Sequence, residues 1–280
     1  MYPVIFESSL LTVYSLWLFF TLGFVLGSFI FYQLINNSRL DISFITNNAF
    51  KFLIGALISS RIFAIIINYH YFFRIDPEKG FSLFGTLWTI ISVWDKELSF
   101  WGAVVGFLFI FIREAQKELQ NFAKWTDILT ISLLSGLSIG NIGAYLDGVN
   151  YGRPTILFWG VTYQSSFVKY AVPVHPTQLY ACIYTALIAI FLYLLYKRYR
   201  NKYDGLIAYT GFFLFASFRF LEGFFRGDDV KMLGAIRLPE TIFLIVAIVL
   251  GYLMRKYQKR YNIPIFSLIP KYLRSRGTKN

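Results

Sequence analysis

A chain of 280 residues that is 56% hydrophobic and only 15% charged is too apolar for an ordinary soluble domain. Its net charge of +12 does not point to nucleic acid, because the Lys and Arg residues gather beside long apolar runs, where cytoplasmic loops of membrane proteins collect them. The single cysteine, Cys182, excludes an intrachain disulfide and a cysteine-built zinc site, and with only His70 and His175 no metal or other cofactor is expected.

The recurring apolar runs predict an all-α polytopic membrane protein, a bundle of about seven transmembrane helices. The first span covers about Leu10 to Leu34, with Gly23 and Gly27 four residues apart as a packing face. It is too long for a signal-peptide core and no small-residue cleavage site follows, so it is expected to be retained. A polar loop, Asn36 to Asn48, leads to a second span at about Ala49 to Tyr69. Arg61 lies in that span's interior. A charge facing lipid there costs about 3 kcal/mol or more, so Arg61 is expected to face a partner or a wet cavity. Tyr71 to Leu98 mixes Asp76, Glu78, Lys79, Asp95, Lys96 and Glu97 with an apolar piece, Leu83 to Val93, too short for a span and read as interfacial or re-entrant.

A third span starts at Ser99 and ends near Ile112, with Gly102 and Gly106 again four apart. A fourth begins near Asp127, whose side chain would cap it, and runs into the stretch Gly136 to Arg153. The fifth is about Gln178 to Tyr196, the sixth begins near Gly205 and turns polar at Arg219, and the seventh covers about Leu238 to Met254. Residues 1–254 are read as one transmembrane domain and 255–280 as a tail with eight Lys or Arg and no acid. Basic residues follow spans three, five and seven, which puts the C-terminus in the cytoplasm and the N-terminus outside.

Polar residues concentrate in three places. In Gly136 to Arg153 the glycines 136 and 140 allow a close helix neighbour, and Ser138, Asn141 and Tyr145 share one helical face. Gly148 and Gly152 then permit a tight reversal that ends in Arg153. In Arg219 to Asp229, the residues Arg219, Glu222 and Arg226 fall on one helical face, where a carboxylate can hold two guanidiniums that still offer donors to a phosphate. In Pro173 to Tyr180, His175 stands between prolines ahead of a span, with a pKa suited to proton transfer. Arg61, Arg153, Arg219 and Arg226 are expected to surround an anionic phospholipid head group in the outer half of the bundle. Polar residues at one depth, without an evident inverted repeat, speak against a channel or secondary transporter.

The pieces LGFVLG (Leu22 to Gly27), SSRIFAIIINY (Ser59 to Tyr69), VWDKELSFWGAVVG (Val93 to Gly106), GLSIGNIGAYLDGVNYGR (Gly136 to Arg153), VHPTQLY (Val174 to Tyr180) and SFRFLEGFFR (Ser217 to Arg226) occur in order and in register. On these the chain resembles the prolipoprotein diacylglyceryl transferases of bacteria. The resemblance implies a multi-pass protein of the bacterial plasma membrane, with phosphatidylglycerol or another anionic phospholipid and a prolipoprotein signal peptide as partners. It implies transfer of a diacylglyceryl group to the lipobox cysteine thiol, giving a thioether and glycerol phosphate. Five positions depart from the family pattern: the family's histidine is Trp101, its helix-borne arginine is Asn141, its first signature asparagine is Ala144, its signature glutamate is Val149, and a later glutamate falls on Gly223. Two readings stay open. One is a transferase with a rearranged site, in which Asp147, His175 and Arg219 do the chemistry and Arg61, Asn141, Arg153, Arg219, Glu222 and Arg226 hold the lipid. The other is a non-catalytic relative that binds anionic phospholipid or a partner protein.

Overall fold

The computed structural model describes residues 3–8, 12–73, 83–92, 98–163, 168–199, 202–228, 232–233 and 236–263. The expected charges Asp76, Glu78, Lys79, Asp95, Lys96 and Glu97, together with Asp229 and the tail from residue 264, lie outside the described residues. The fold is helical: α1 (Ser15–Ser38), α2 (Ser43–Ile67), α3 (Tyr69–Phe72), α4 (Leu83–Ile91), α5 (Phe100–Lys117), α6 (Phe122–Asp147), α7 (Thr177–Tyr199), α8 (Leu206–Gly223) and α9 (Leu238–Arg260). Two short hairpins precede helices: β1 (Val4–Glu7) with β2 (Thr12–Tyr14) before α1, and β3 (Met232–Leu233) with β4 (Ile236–Arg237) before α9.

Six of these helices, α1, α2, α6, α7, α8 and α9, are long and apolar enough to cross a membrane. The expected third span corresponds to α5, whose 18 residues include Arg113, Glu114 and Lys117, and those charges separate it from the six. Phe24, Phe50, Ile66, Phe109 and Ile248 project from their helices largely exposed, as side chains that face lipid do. The chain is therefore a multi-pass membrane protein.

The helices divide into two compact units, residues 41–122 and residues 1–40 with 123–280. In the first of these, α2 and α5 pack backbone to backbone. A Cβ on Gly106 would meet the Gly55 carbonyl, and one on Gly102 would meet Ser59 and Ser60, so the glycine pair is a contact face. Phe44, Phe52, Phe107 and Phe111 fill the space below with tilted and edge-on ring contacts. At the charged end Lys51 donates to Glu114 at 2.6 Å and Asn48 to Glu118 at 2.7 Å.

The other unit is built on α6. A Cβ on Gly23 would meet the carbonyl of Gly136, and one on Gly27 would meet that of Ser132, so α1 and α6 touch along both glycine pairs. Leu34, Ile128, Ile131, Ile188, Leu192 and Ile207 form the core among α1, α6, α7 and α8. Two boundaries differ from expectation for local reasons. The polar run from Asn36 to Asn48 is mostly helix; only residues 39–42 turn, with Arg39 left-handed at the α1 C-cap and Asp41 accepting from Ser43 N at 2.8 Å. Asp127 does not start α6, which begins at Phe122. It caps α8 instead: Gly205 N donates to one carboxylate oxygen and Ala208 N to the other, both at 2.7 Å. Asp127→Ala leaves two buried N–H groups unpaired and is expected to cost about 2 kcal/mol, read as a lowered unfolding midpoint in detergent; Asp127→Asn should lose less.

Candidate functional site

Three chain segments are stitched together where α6 ends, α7 begins and α8 ends. After α6 the turn passes through Gly148 at φ +86° and Asn150 at φ +59°. The start of α7 holds this turn: Thr177 Oγ1 donates to the Asn150 carbonyl and Gln178 Nε2 to that of Val149, each at 2.6 Å. Gly152 N then donates to the His175 carbonyl at 3.1 Å, His175 N to that of Arg153 at 3.0 Å, and Arg153 N to that of Phe225 at 2.8 Å. Gly152 must be glycine because a Cβ there would meet the carbonyls of both His175 and Phe225.

Arg153 is exposed and steadied by Nε, which donates to the Arg226 carbonyl at 3.1 Å. Its two terminal nitrogens have no hydrogen-bond partner among the described residues. Arg226 is the opposite case. It is buried and donates to Asp228 through Nε at 2.8 Å and Nη2 at 3.1 Å, and to Asn150 Oδ1 at 2.8 Å, with Glu222 at 3.6 Å. Burial works against the Arg226 cation, but the hydrogen bonds to Asp228 and the charges of Asp228, Glu222 and Glu240 together outweigh it and raise the pKa. Asp228 is held below the ordinary carboxylate range by the reverse balance: burial raises it, and the bonds from Arg226 and Arg237 overcome burial.

Around this pair lie Arg237, Glu240 and Tyr184, which the sequence did not mark, beside the expected Arg219 and Glu222. Arg237, at the entry to α9, contacts Asp228 at 3.0 Å and Glu240 at 3.6 Å, and donates to the Gly223 carbonyl at 3.3 Å. Arg219 pairs with Glu222 at 2.6 Å and lies over the Phe243 ring, while Tyr184 donates to the other Glu222 oxygen at 2.8 Å. The available signal for Arg237 and Glu240 was their i, i+3 spacing around Pro239 at a span start. Glu240 fills the space that a side chain on residue 223 would take: a Cβ there would stand 2.6 Å from the Glu240 carboxyl carbon. Gly223→Ala should therefore displace Glu240 and cost about 1–3 kcal/mol, read as a lowered melting temperature.

His175 is half-buried against the Phe225 ring, 5.2 Å between centroids. Its Nδ1 lies 3.1 Å from the Tyr180 hydroxyl, which accepts from Trp159 Nε1 at 2.7 Å. Nε2 has no hydrogen-bond partner among the described residues. Burial lowers the His175 pKa, so the ring is neutral near neutral pH.

The remaining expected residues are not joined to this cluster by any described bond. On α6, Asn141 donates to Leu137 O at 2.9 Å and Ser138 to Ser135 O at 2.7 Å, so the polar face expected there spends its donors on its own helix. Ala144 is buried, and Asp147, half-buried at the α6 end, has no hydrogen bond or ion pair among the described residues. Trp101 belongs to the α2–α5 unit and is 63% exposed on α5. Arg61 is in that unit too. Its guanidinium donates to Ile90 O at 3.0 Å, to Ser92 O at 2.9 Å and to Thr89 O, and stacks on Phe72, so it caps the C-terminal end of α4.

A family model described as prolipoprotein diacylglyceryl transferase matches residues 3–256. Among curated relatives, the phosphatidylglycerol–prolipoprotein diacylglyceryl transferase of Campylobacter hominis is 30% identical over 235 residues, covering 82% of this chain and 80% of its own. That of Geobacter sulfurreducens is 26% identical over 232 residues, covering 82% and 84%. That of Campylobacter lari is 33% identical over 178 residues, covering 63% and 62%.

Proposed function

The chain belongs to the prolipoprotein diacylglyceryl transferase family, and we propose that it moves the diacylglyceryl group of phosphatidylglycerol to the thiol of a prolipoprotein cysteine. The observation that carries this reading is Arg153: an exposed guanidinium whose terminal nitrogens have no partner among the described residues, bonded backbone to backbone with His175. In the reaction the sulfur forms a bond to the glyceryl carbon, and the carbon–oxygen bond to phosphate breaks. The electron pair leaves on the phosphate oxygen with glycerol phosphate, and the thiol proton passes to a base. Arg153 stabilises the charge that develops on the phosphate. His175 takes the proton at Nε2, with Nδ1–H donating to the Tyr180 oxygen, which also accepts from Trp159. Arg226, Asp228 and Asn150 hold the turn that presents Arg153.

Orientation by loop charge supports placing this cluster at the outer face of a bacterial plasma membrane, with the basic segment from residue 255 in the cytoplasm. The direct test is to incubate the purified protein with phosphatidylglycerol and a lipobox peptide, then look for the added mass of a diacylglyceryl thioether. A folded protein that binds the lipid without forming product would select the non-catalytic reading, which the exposed Trp101 and the helix-bound Asn141 favour.

The pH dependence has a definite sign. His175 works in its neutral form and burial lowers its pKa. The rate should hold as the pH falls to the ordinary histidine value of about 6.5 and decline only below it. In His175→Gln that acid limb should disappear along with most of the rate. A limb unchanged in the variant would remove His175 as the base.

A further inference from the structure

Between Gly152 and α7 the chain makes a loop whose tip, Pro154 to Val161, carries no charge. The tip is firmly built. Thr155 N donates to Pro173 O at 2.9 Å, Val161 and Val174 exchange both backbone bonds at 3.0 Å, and Gly160 N closes the turn on Leu157 O at 2.9 Å. Yet Ile156 is fully exposed, Phe158 is 94% exposed, and Trp159 and Val172 are nearly half exposed. Beside them Pro154, Thr155, Ile156, Val172 and Pro173 line an open notch of about 480 Å³. A closely bonded tip that leaves these apolar side chains exposed suits an outside partner.

Two features identify that partner. Val172 stands five residues before Thr177, the first residue of the spanning helix α7, which keeps the tip's base within about 18 Å of the span. Exposed Arg153 directly precedes the tip, so a cation stands behind an aliphatic and aromatic point, the arrangement that suits anionic head groups over acyl chains. An extended peptide suits the notch less well. Pro154 and Pro173 have no N–H, and those of Thr155, Val161 and Val174 are already bonded.

We propose that this loop is a membrane wedge: Ile156, Phe158 and Trp159 enter the acyl boundary of the lipid surface whose phosphates Arg153 meets. Trp159 also donates to Tyr180, the partner of His175, so the seated wedge steadies the His175 ring. The wedge stands on exposure and placement, and its test is independent of transfer activity.

The test uses the full chain in vesicles of phosphatidylglycerol and phosphatidylcholine with brominated acyl chains. A Cys182→Ser background carries Phe158→Cys or, separately, Ile156→Cys, labelled with an environment-sensitive fluorophore; Ile156 is fully exposed and Phe158 is 94% exposed, meeting the Trp159 ring edge-on at 4.7 Å, so the fold is kept. The expected result is a blue-shifted emission quenched by the brominated lipid and shielded from aqueous iodide. Quenching by iodide without quenching by brominated lipid overturns the proposal. Shielding that develops only on adding a lipobox peptide also overturns it and makes the tip a peptide surface.

Discussion

Arg153→Ala is expected to lose about 100- to 1,000-fold in transfer rate while unfolding at the same midpoint as the parent protein. The side chain is exposed, and its one described side-chain bond, Nε to the Arg226 carbonyl, is only partly buried. Little packing is lost with it. What is lost is the guanidinium that faces an anion, and removal of one such donor from a developing negative charge costs about 3–4 kcal/mol of transition-state stabilisation. Arg153→Lys should recover only part of the rate, because an ammonium keeps the charge without the planar fork. A variant with the parent rate on phosphatidylglycerol would exclude Arg153 from the reaction. Lipid binding and turnover measured separately will tell whether the loss falls on the ground state or on the transition state.

Arg226→Ala should fail differently. Its guanidinium is buried and answers Asp228, Glu222 and the Asn150 amide oxygen together. Removing it leaves Asp228 with Arg237 alone among the described residues and strips Asn150 Oδ1 of one of the bonds that hold the α6–α7 turn. Breaking one partner of a buried ion pair costs about 3–5 kcal/mol, so the unfolding midpoint should fall sharply and the rate with it. Arg226→Lys cannot reproduce the two-pronged bond to Asp228 and should be intermediate in both readouts. If Arg226→Ala instead kept its stability and lost only turnover, Arg226 would be a ligand of the phosphate and not the brace beneath Arg153.

For these two arginines local sequence carries only part of the way. Both stand near glycines and aromatics after an apolar run, and spacing alone gives them the same phosphate-binding role. Burial separates them: one is spent on carboxylates, the other is left facing outward. Asp127 teaches the same lesson. Its position ahead of an apolar run marks it as a helix cap, but the N–H groups it satisfies belong to α8, some 80 residues later in the chain. The hydrogen bonds of Asn141 and Ser138 to their own helix were beyond periodicity too, since periodicity says which face a side chain occupies and not which acceptor it finds.

The sequence by itself determined the membrane class, the helical character of the chain, and the packing faces at Gly23 with Gly27 and at Gly102 with Gly106, though not the partners those faces meet. Each depends on a pattern within a few turns of helix: a run of apolar residues, or small residues four apart. The tertiary structure alone decided that Arg153 and His175 share a backbone ladder, that Arg226, Asp228, Arg237 and Glu222 form one buried ion network, and that Arg61 caps α4. Those are pairings of charges and polar groups far apart along the chain. A buried charge takes whichever partner the fold brings within reach, and no local pattern records that choice.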